Sequence, residues 1–331
     1  MITFMRKFLS LLVAGESLNY TQSLEAITLI GTGEANPSQT AAFLMGVQQK
    51  GITADELDGF RQGMLNLTLD LGFEDLDAMD VCGTGGDGKD TFNISTTSAL
   101  VAAGAGVKIA KHGNHGVSSA VGSSTVLEHL GVKFTNDKDH LRRKIESAGI
   151  CYLHAPLFHP AMKAVAPIRK ELGIKTFFNI LGPLMNPAKV TKQLTGVSDL
   201  KTFELYKALF AKNGTQYAVV YALDGYDEIS LTGDFRISFN NEDSIFSPEK
   251  VGLMRVKAVD LGGGETLEAS AKILMGILNG EGTAAQEQAV LANAGLAISV
   301  SKNLNLEEGI AMAKESIDSK RALRSLKILV E

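Results

Sequence analysis

From Ala78 onward the chain repeats one local pattern, in which a short apolar run ends in a glycine-rich loop and a helix of small residues follows. That alternation constrains the fold more than any other feature, because strand, loop and helix in succession build a parallel α/β sheet. The runs are Ala78 to Cys82, Val107 to Ala110, Tyr217 to Leu223 and Leu253 to Val259. Upstream the texture is helical. Asn36 before Pro37 reads as an N-cap with proline at the first helical position, Gly51 closes that helix after Lys50, and Thr53 with Glu56 forms a capping box. Leu57, Phe60, Met64, Leu67 and Leu71 then share one helical face. Ala164 to Pro187 is again helical and apolar, with Arg169, Lys170 and Lys175 interspersed, and Leu267 to Leu329 is helical and rich in Ala and Leu. The expected fold is α/β: a small helical N-terminal domain over 1–74, with a helical excursion near 164–190 packing on it, and a large α/β domain over 75–331 around a central, mainly parallel sheet. A length of 331 residues accommodates two such domains.

Several classes are excluded. Hydrophobic residues make up 45% and charged residues 21%, ordinary globular usage that rules out disorder and a coiled coil. The two cysteines, Cys82 and Cys151, lie in apolar settings, so neither a disulfide scaffold nor a Cys-rich metal site is expected, and a reducing, cytoplasmic location fits. Arg6 and Lys7 before Phe8 to Ala14 imitate a secretion signal, but that run is short and contains Ser10, so it reads as an amphipathic helix of the mature chain. No window approaches a membrane span. The six histidines all lie between His112 and His159, but the pairs His112-x-x-His115 and His154-x-x-x-x-His159 lack a suitable carboxylate or thiolate partner, so zinc binding by them is not expected. Packing or anion contacts suit His112 and His115, and helix capping suits His159 before Pro160.

The loop Gly83-Thr84-Gly85-Gly86-Asp87-Gly88-Lys89-Asp90 follows the first expected strand. It matches G-x-G-x-x-G, yet no acid follows about twenty residues later to hold a ribose hydroxyl. It also matches G-x-x-x-x-G-K, but Asp90 stands where a hydroxyl must ligate magnesium. A lone glycine pattern commonly marks only a tight turn. Here the neighbourhood says more. The chain carries 37 acids against 32 bases, a net charge of −5, which argues against nucleic acid as partner. Thr91 through Leu127 nevertheless contains no Asp or Glu, where even spacing would place about four. The same stretch holds Lys108, Lys111, His112, His115, Asn93, Ser95, Thr96, Ser118, Ser119 and Ser123, groups able to donate to phosphate oxygens. The combination points to a polyphosphate ligand. Downstream, Asp224-Gly225-Tyr226-Asp227-Glu228 ends another expected strand, and adjacent Asp227 and Glu228 suit magnesium, which takes one or two carboxylates beside substrate phosphates.

Further motifs occur in a fixed order: Gly83 to Asp87, Asn93-Ile94-Ser95-Thr96, Lys111-His112-Gly113-Asn114 with Ser118-Ser119, and Leu127-Glu128-His129-Leu130-Gly131. They continue with His159-Pro160-Ala161-Met162, Arg169-Lys170-Glu171-Leu172-Gly173, Asn179 to Pro187 and Asp224 to Ser230. The series covers most of the chain and resembles the anthranilate phosphoribosyltransferases. The resemblance implies the two-domain fold of nucleoside phosphorylases and phosphoribosyltransferases, a homodimer paired through the helical parts, substrates meeting at the hinge, and a role in tryptophan biosynthesis. It implies transfer of the phosphoribosyl group of phosphoribosyl diphosphate to the amine of anthranilate, with release of diphosphate. Carried over by motif, Gly83, Gly86, Asp87, Thr91, Asn93, Ile94, Ser95 and Thr96 hold phosphoribosyl diphosphate, as do Lys111, His112, Gly113, Asn114, His115, Gly116, Val117, Ser118, Ser119 and Ser123. Gly83, Asn114 and Arg169 contact anthranilate. Ser95, Asp227 and Glu228 bind two magnesium ions (Mg2+), and no residue serves as a general acid or base.

Three departures from the family pattern stand out. His115 replaces the Arg common after Lys-His-Gly-Asn, Gly122-Ser123-Ser124-Thr125 replaces Gly-Ser-Ala-Asp, and Lys175 replaces the Arg common before Thr176. The first two remove one charge of each sign and read as a compensated pair. Two rivals are weaker on the sequence. A pyrimidine-nucleoside phosphorylase shares the design but lacks the Asp-Glu pair, and a nucleic-acid-binding relative would need a basic face.

Overall fold

In a computed structural model, which describes residues 2–116, 121–239 and 242–331, the capping signals at the start of the chain become helices. The chain divides into two units, Met1–Asp70 with Pro156–Pro187, and Leu71–Ala155 with Ala188–Glu331. The first contains α1 (Ile2–Val13), α2 (Tyr20–Gly31), α3 (Pro37–Lys50) and α4 (Ala54–Asn66), and, after the chain returns, α8 (Met162–Leu172) and α9 (Phe178–Leu181). Asn36 and Gln39 form a reciprocal capping box around Pro37, and Gly51 ends α3 at φ 86°. Thr53 and Glu56 cap α4 in the same way.

Glu56 does more than cap. Its carboxylate is fully buried, accepts from the Leu18 N–H at 2.9 Å and the Thr53 N–H at 2.9 Å, and pairs with Lys50 Nζ at 2.8 Å. One side chain thereby fixes the chain before α2, the end of α3 and the start of α4. Around it Phe43, Phe60, Phe177 and Phe178 form an aromatic core, Phe60 stacking on Phe177 with centroids 4.5 Å apart. His159 does not cap a helix as expected. α8 starts without a side-chain cap, and the His159 ring is buried with Nδ1 3.1 Å from Thr68 Oγ1. Burial there pushes the imidazole down to about 4, because a charged ring has no water to solvate it.

In the second unit the strands lie in the order β3 (Ile150–His154), β2 (Ile109–Gly113), β1 (Met79–Gly83), β4 (Lys192–Gly196), β5 (Gln216–Ala222), β6 (Phe235–Phe239) and β7 (Glu242–Phe246). β1 to β5 are parallel, and β6 and β7 add an antiparallel edge. Three of the four expected runs are strands. Leu253 to Val259 is not: its N–H groups go to separate partners, Met254 to the Gln288 side chain and Val256 to the Leu231 carbonyl, and Met254 and Val259 face solvent. β4 escaped notice because Lys192-Gln193-Leu194-Thr195-Gly196 contains no apolar run, although Gln193 and Thr195 are buried.

The helices of this unit are α5 (Ile94–Gly104), α6 (Ser123–His129), α7 (Lys138–Ala148), α10 (Leu200–Asn213), α11 (Leu267–Leu278), α12 (Ala284–Lys302), α13 (Leu306–Asp318) and α14 (Arg321–Val330). α5 and the middle of α12 are buried on all sides, so their sequences are apolar all round rather than striped. Chain order runs outward from β1 to β2 and β3, then returns to β4 and β5 on the other side. The direction reverses between β1 and β4, the point beyond whose strand ends ligands bind in α/β sheets. Among the described residues no helix is long and apolar enough to cross a membrane.

Glu56→Ala should lower the unfolding free energy by about 2–4 kcal/mol, because it leaves the Leu18 and Thr53 N–H groups without their acceptor and takes the counter-charge from half-buried Lys50. Urea unfolding followed by circular dichroism measures this; a loss under about 1 kcal/mol would contradict the role given to Glu56.

Candidate functional site

β1 runs out at Gly83 and β4 at Gly196, and these glycines are partners across the ladder. Neither position has room for a side chain. A Cβ on Gly83 would strike the Asp227 carboxylate, and one on Gly196 the Asp227 carbonyl oxygen. The turn after β5 therefore lies directly on the ends of β1 and β4. The Gly85 N–H donates to Asp227 Oδ2 at 2.6 Å, and the Thr84 N–H to the Gly196 carbonyl at 2.9 Å. The loop between them turns back on itself with Gly85, Gly86 and Gly88 at φ 66°, 75° and 72°, left-handed conformations suited to glycine. Asp87 Oδ1 accepts from the Lys89 N–H at 3.1 Å, while Asp87 Oδ2 is buried without a partner.

Asp227 and Glu228 thus enter the site from the far side of the switch point. Glu228 accepts from the Ser95 backbone N–H and shares a recess with Ser95, Cys82 and Gly196. Burial, and then the charge of Asp87, raises the Asp227 carboxyl above the usual carboxylate range. Burial, and then the charge of Asp227, raises Glu228 well above it, with Lys111 opposing. Carboxylates crowded in this way are relieved by a hard dication that prefers oxygen ligands. Among the described residues no three His, Cys, Asp or Glu side chains converge into a complete cage. That suits Mg2+, which takes one or two carboxylates and completes its shell with water and substrate phosphate.

The start of α5 faces the same loop. Asn93 does not cap it; its Nδ2 donates to the Val121 carbonyl at 2.9 Å, leaving Asn93 Oδ1 and Thr96 Oγ1 buried without partners. An uncapped helix start attracts anions through its first N–H groups. Ile94 and Ser95 open the helix, and Thr91 bridges to Gly262 just before it.

β2 brings in the second basic segment, and here two side chains replace ladder bonds. β1 and β2 pair in register only at Met79 and Ile109. Farther along, buried Lys111 donates through Nζ to the Val81 carbonyl at 2.6 Å, and Asp80 Oδ1 accepts from the His112 N–H at 3.1 Å. Lys111 is therefore turned into the protein. Gly113, Asn114, His115 and Gly116 continue toward solvent, and Val117, Ser118 and Ser119 lie outside the described residues. Ser123 returns to donate to the Asn114 carbonyl at 3.2 Å. His115 Nδ1 lies 3.2 Å from Thr125 Oγ1, so two of the departures from the family pattern are bonded to each other.

In the first unit, Arg169 near the end of α8 donates through Nη2 to Asn179 Oδ1 at 3.3 Å and lies 5.3 Å over the Phe178 ring. Its Nε and the neighbouring Thr176 Oγ1 are buried without partners, while the Thr176 N–H donates to Asn179 Oδ1 at 2.9 Å. Lys175 is exposed. Sequence reasoning passed over Gly196, Asp80, Tyr152 and His154. Gly196 gave no signal, because nothing marked β4 as a strand. Tyr152 and His154 did give one, as polar aromatics in the otherwise apolar β3.

Two family models match the chain: the helical bundle domain of a glycosyl transferase family over residues 6–68, and the a/b domain of a glycosyl transferase family over residues 75–323. Anthranilate phosphoribosyltransferase of Cytophaga hutchinsonii is 49% identical over 328 residues, covering 99% of this chain and 100% of that protein. That of Christiangramia forsetii is 48% identical, covering 98% of each. The crystal structure of anthranilate phosphoribosyltransferase from Thermus thermophilus matches with a TM-score of 0.92 at 34% identity, over 97% of this chain and 98% of that one. The Saccharomyces cerevisiae enzyme in complex with PRPP and Mg matches with a TM-score of 0.90 at 28% identity, over 98% of this chain and 96% of that one.

Gly196→Ala should destabilise the chain by about 1–3 kcal/mol, since the new methyl group forces the Asp227 turn off the sheet. Gly276→Ala, inside α11 with its nearest neighbouring atom 3.9 Å from the added methyl group, should be neutral or stabilising by up to about 1 kcal/mol. Equal effects in thermal unfolding would contradict the close approach.

Proposed function

This chain belongs to the anthranilate phosphoribosyltransferase family, and we propose that its glycine loop, the start of α5 and the Asp227 turn together hold the donor substrate. The enzyme transfers the phosphoribosyl group of 5-phosphoribosyl 1-diphosphate to the amine of anthranilate, giving N-(5-phosphoribosyl)anthranilate and diphosphate, a step of tryptophan biosynthesis. It uses Mg2+. The observation that carries the site assignment is the meeting of the glycine loop with the Asp227 turn at the ends of β1 and β4, beside an uncapped helix start whose Ser95 N–H bonds Glu228.

Breaking the bond from ribose C1 leaves a cationic sugar and a strongly anionic diphosphate. The leaving anion meets the positive end of α5, whose field acts on it although several N–H groups there and in the Gly83–Asp87 loop already have protein acceptors. Asp227 and Glu228, with the Ser95 hydroxyl, would hold two magnesium ions, which would supply counter-charge for the diphosphate. The charge of buried Lys111 opposes the burial and the Asp227 charge that raise the Glu228 carboxyl. His112 through Ser119, with Ser123, complete the donor site.

Anthranilate needs orientation more than a base, because its aromatic amine is neutral at physiological pH. Gly83 and Asn114 contact it, and Arg169, held through Nη2 by Asn179, binds its carboxylate. Asn179 fixes one side of that guanidinium, so little rotamer freedom is lost when the carboxylate arrives. The chain works as a cytoplasmic homodimer paired through its helical unit.

The direct test follows anthranilate fluorescence in the presence of phosphoribosyl diphosphate and Mg2+. Its loss is expected, and persistence would overturn the reading. Asp227→Asn combined with Glu228→Gln should lower kcat by about 100-fold or more with unchanged circular dichroism, and wild-type turnover at saturating magnesium would refute the metal role. Arg169→Ala should raise the KM for anthranilate by roughly 10- to 150-fold, the equivalent of one charge-assisted contact. A selective effect on phosphoribosyl diphosphate would count against the assignment.

A further inference from the structure

Behind the donor loop, four polar contacts form an unbroken line. His154 Nδ1 lies 2.8 Å from Ser124 Oγ, Ser124 Oγ 2.8 Å from Tyr152 Oη, Tyr152 Oη 2.9 Å from Ser123 Oγ, and Ser123 Oγ 3.2 Å from the Asn114 carbonyl oxygen. Tyr152 and His154 are two residues apart on β3, opposite Lys111 and Gly113 of β2, so they share a face of the sheet. Gly113 makes the line possible, since a Cβ there would strike both the Tyr152 and the Ser123 hydroxyls. Phe134 stacks on the His154 ring at 4.6 Å and restrains its rotation.

Counting hydrogens fixes the direction. Each contact needs one hydrogen, and the Asn114 carbonyl has none to give, so four contacts must be served by three hydroxyl hydrogens and one other. The remaining source is His154 Nδ1. Ser123 then donates to Asn114, Tyr152 to Ser123, Ser124 to Tyr152, and His154 Nδ1–H to Ser124. The reverse direction leaves Ser123 and the Asn114 carbonyl facing each other with no hydrogen between them, an unfavourable contact. A one-way chain of this kind strengthens each of its bonds by polarisation.

We propose that Tyr152 and His154 are positioning residues for the donor site: His154, held as its Nδ1–H tautomer, anchors a directional hydrogen-bond chain that sets the Ser123 hydroxyl and the Asn114 backbone. This rests on the reading that Ser123 and Asn114 hold phosphoribosyl diphosphate. The Ser123 hydrogen is committed to Asn114, so Ser123 meets the donor substrate as a fixed acceptor, suited to a ribose hydroxyl and not to a phosphate oxygen. The His115 to Thr125 bond ties the same two segments a second time. The imidazolium form of His154 also carries a hydrogen on Nδ1, so protonation leaves the chain intact.

Nitrogen-15 spectra of histidine-labelled full-length protein, taken where the ring is neutral, should show His154 with its hydrogen on Nδ1. The Nε2–H pattern would overturn the proposal whether or not the transferase reading stands. In steady-state assays Tyr152→Phe and His154→Phe should each raise the KM for phosphoribosyl diphosphate about 5- to 10-fold with kcat within about twofold, the loss expected for one hydrogen bond used in binding. His154→Asn, whose amide N–H falls near the Nδ1–H position, should recover most of that loss. An unchanged KM in the phenylalanine variants, or no advantage of Asn over Phe at position 154, would overturn the chain. If the wild type turns over no anthranilate, the functional reading fails and the tautomer measurement alone decides the proposal.

Discussion

The absence of two side chains, at Gly83 and Gly196, underlies the meeting of the glycine loop with the Asp227 turn. Partnered at the ends of β1 and β4, these glycines let the Asp227 backbone and carboxylate rest where any Cβ would collide. That close approach brings a carboxylate 142 residues along the chain onto the Gly85 N–H. The reversal of strand order between β1 and β4 opens the space that the turn fills. The left-handed glycines of the loop are the local counterpart of this long-range packing: they let the chain turn back within a few residues.

Charge in this chain works by position rather than by total. A net charge of −5 would seem to oppose an anionic substrate, yet Thr91 to Leu127 is free of acids, and Asp87, Asp227 and Glu228 crowd together beside it. An acidic cluster and an anion-binding helix start become compatible once a dication stands between them, because each alone lacks the counter-charge the other repels. Buried Lys111 serves the same balance from beneath the sheet. Its ammonium fills the gap where β1 and β2 part, and its charge offsets Glu228.

Most of the helical architecture was legible in the sequence, because caps are local. Asn36 with Pro37, and Thr53 with Glu56, behave as their spacing says. Apolar runs marked β1, β2 and β5, while β3, though apolar and buried, and β6 were not expected. β4 hides behind Lys192, Gln193 and Thr195, whose polar character masks a largely buried strand, and the largely exposed β7 has no buried face to pattern. Leu253 to Val259 had the composition of a strand without a ladder to join. His159 looked like a cap from its place before Pro160, but the packing around Thr68 buries its ring instead.

The sequence alone determined the chemistry available: glycines where the backbone must turn, hydroxyls and amides without competing acids, and an Asp-Glu pair suited to a hard metal. Its ordered motifs also determined the family. Only the tertiary structure decided how those groups face. It turned Lys111 inward, set Asp227 across two strand ends, paired His115 with Thr125, and drew Tyr152 and His154 into a hydrogen-bond line that no local pattern records. The physical reason is range. Caps and turns depend on residues three or four apart, whereas hydrogen-bond direction and close backbone approach depend on which strands become neighbours, and the whole core sets that order.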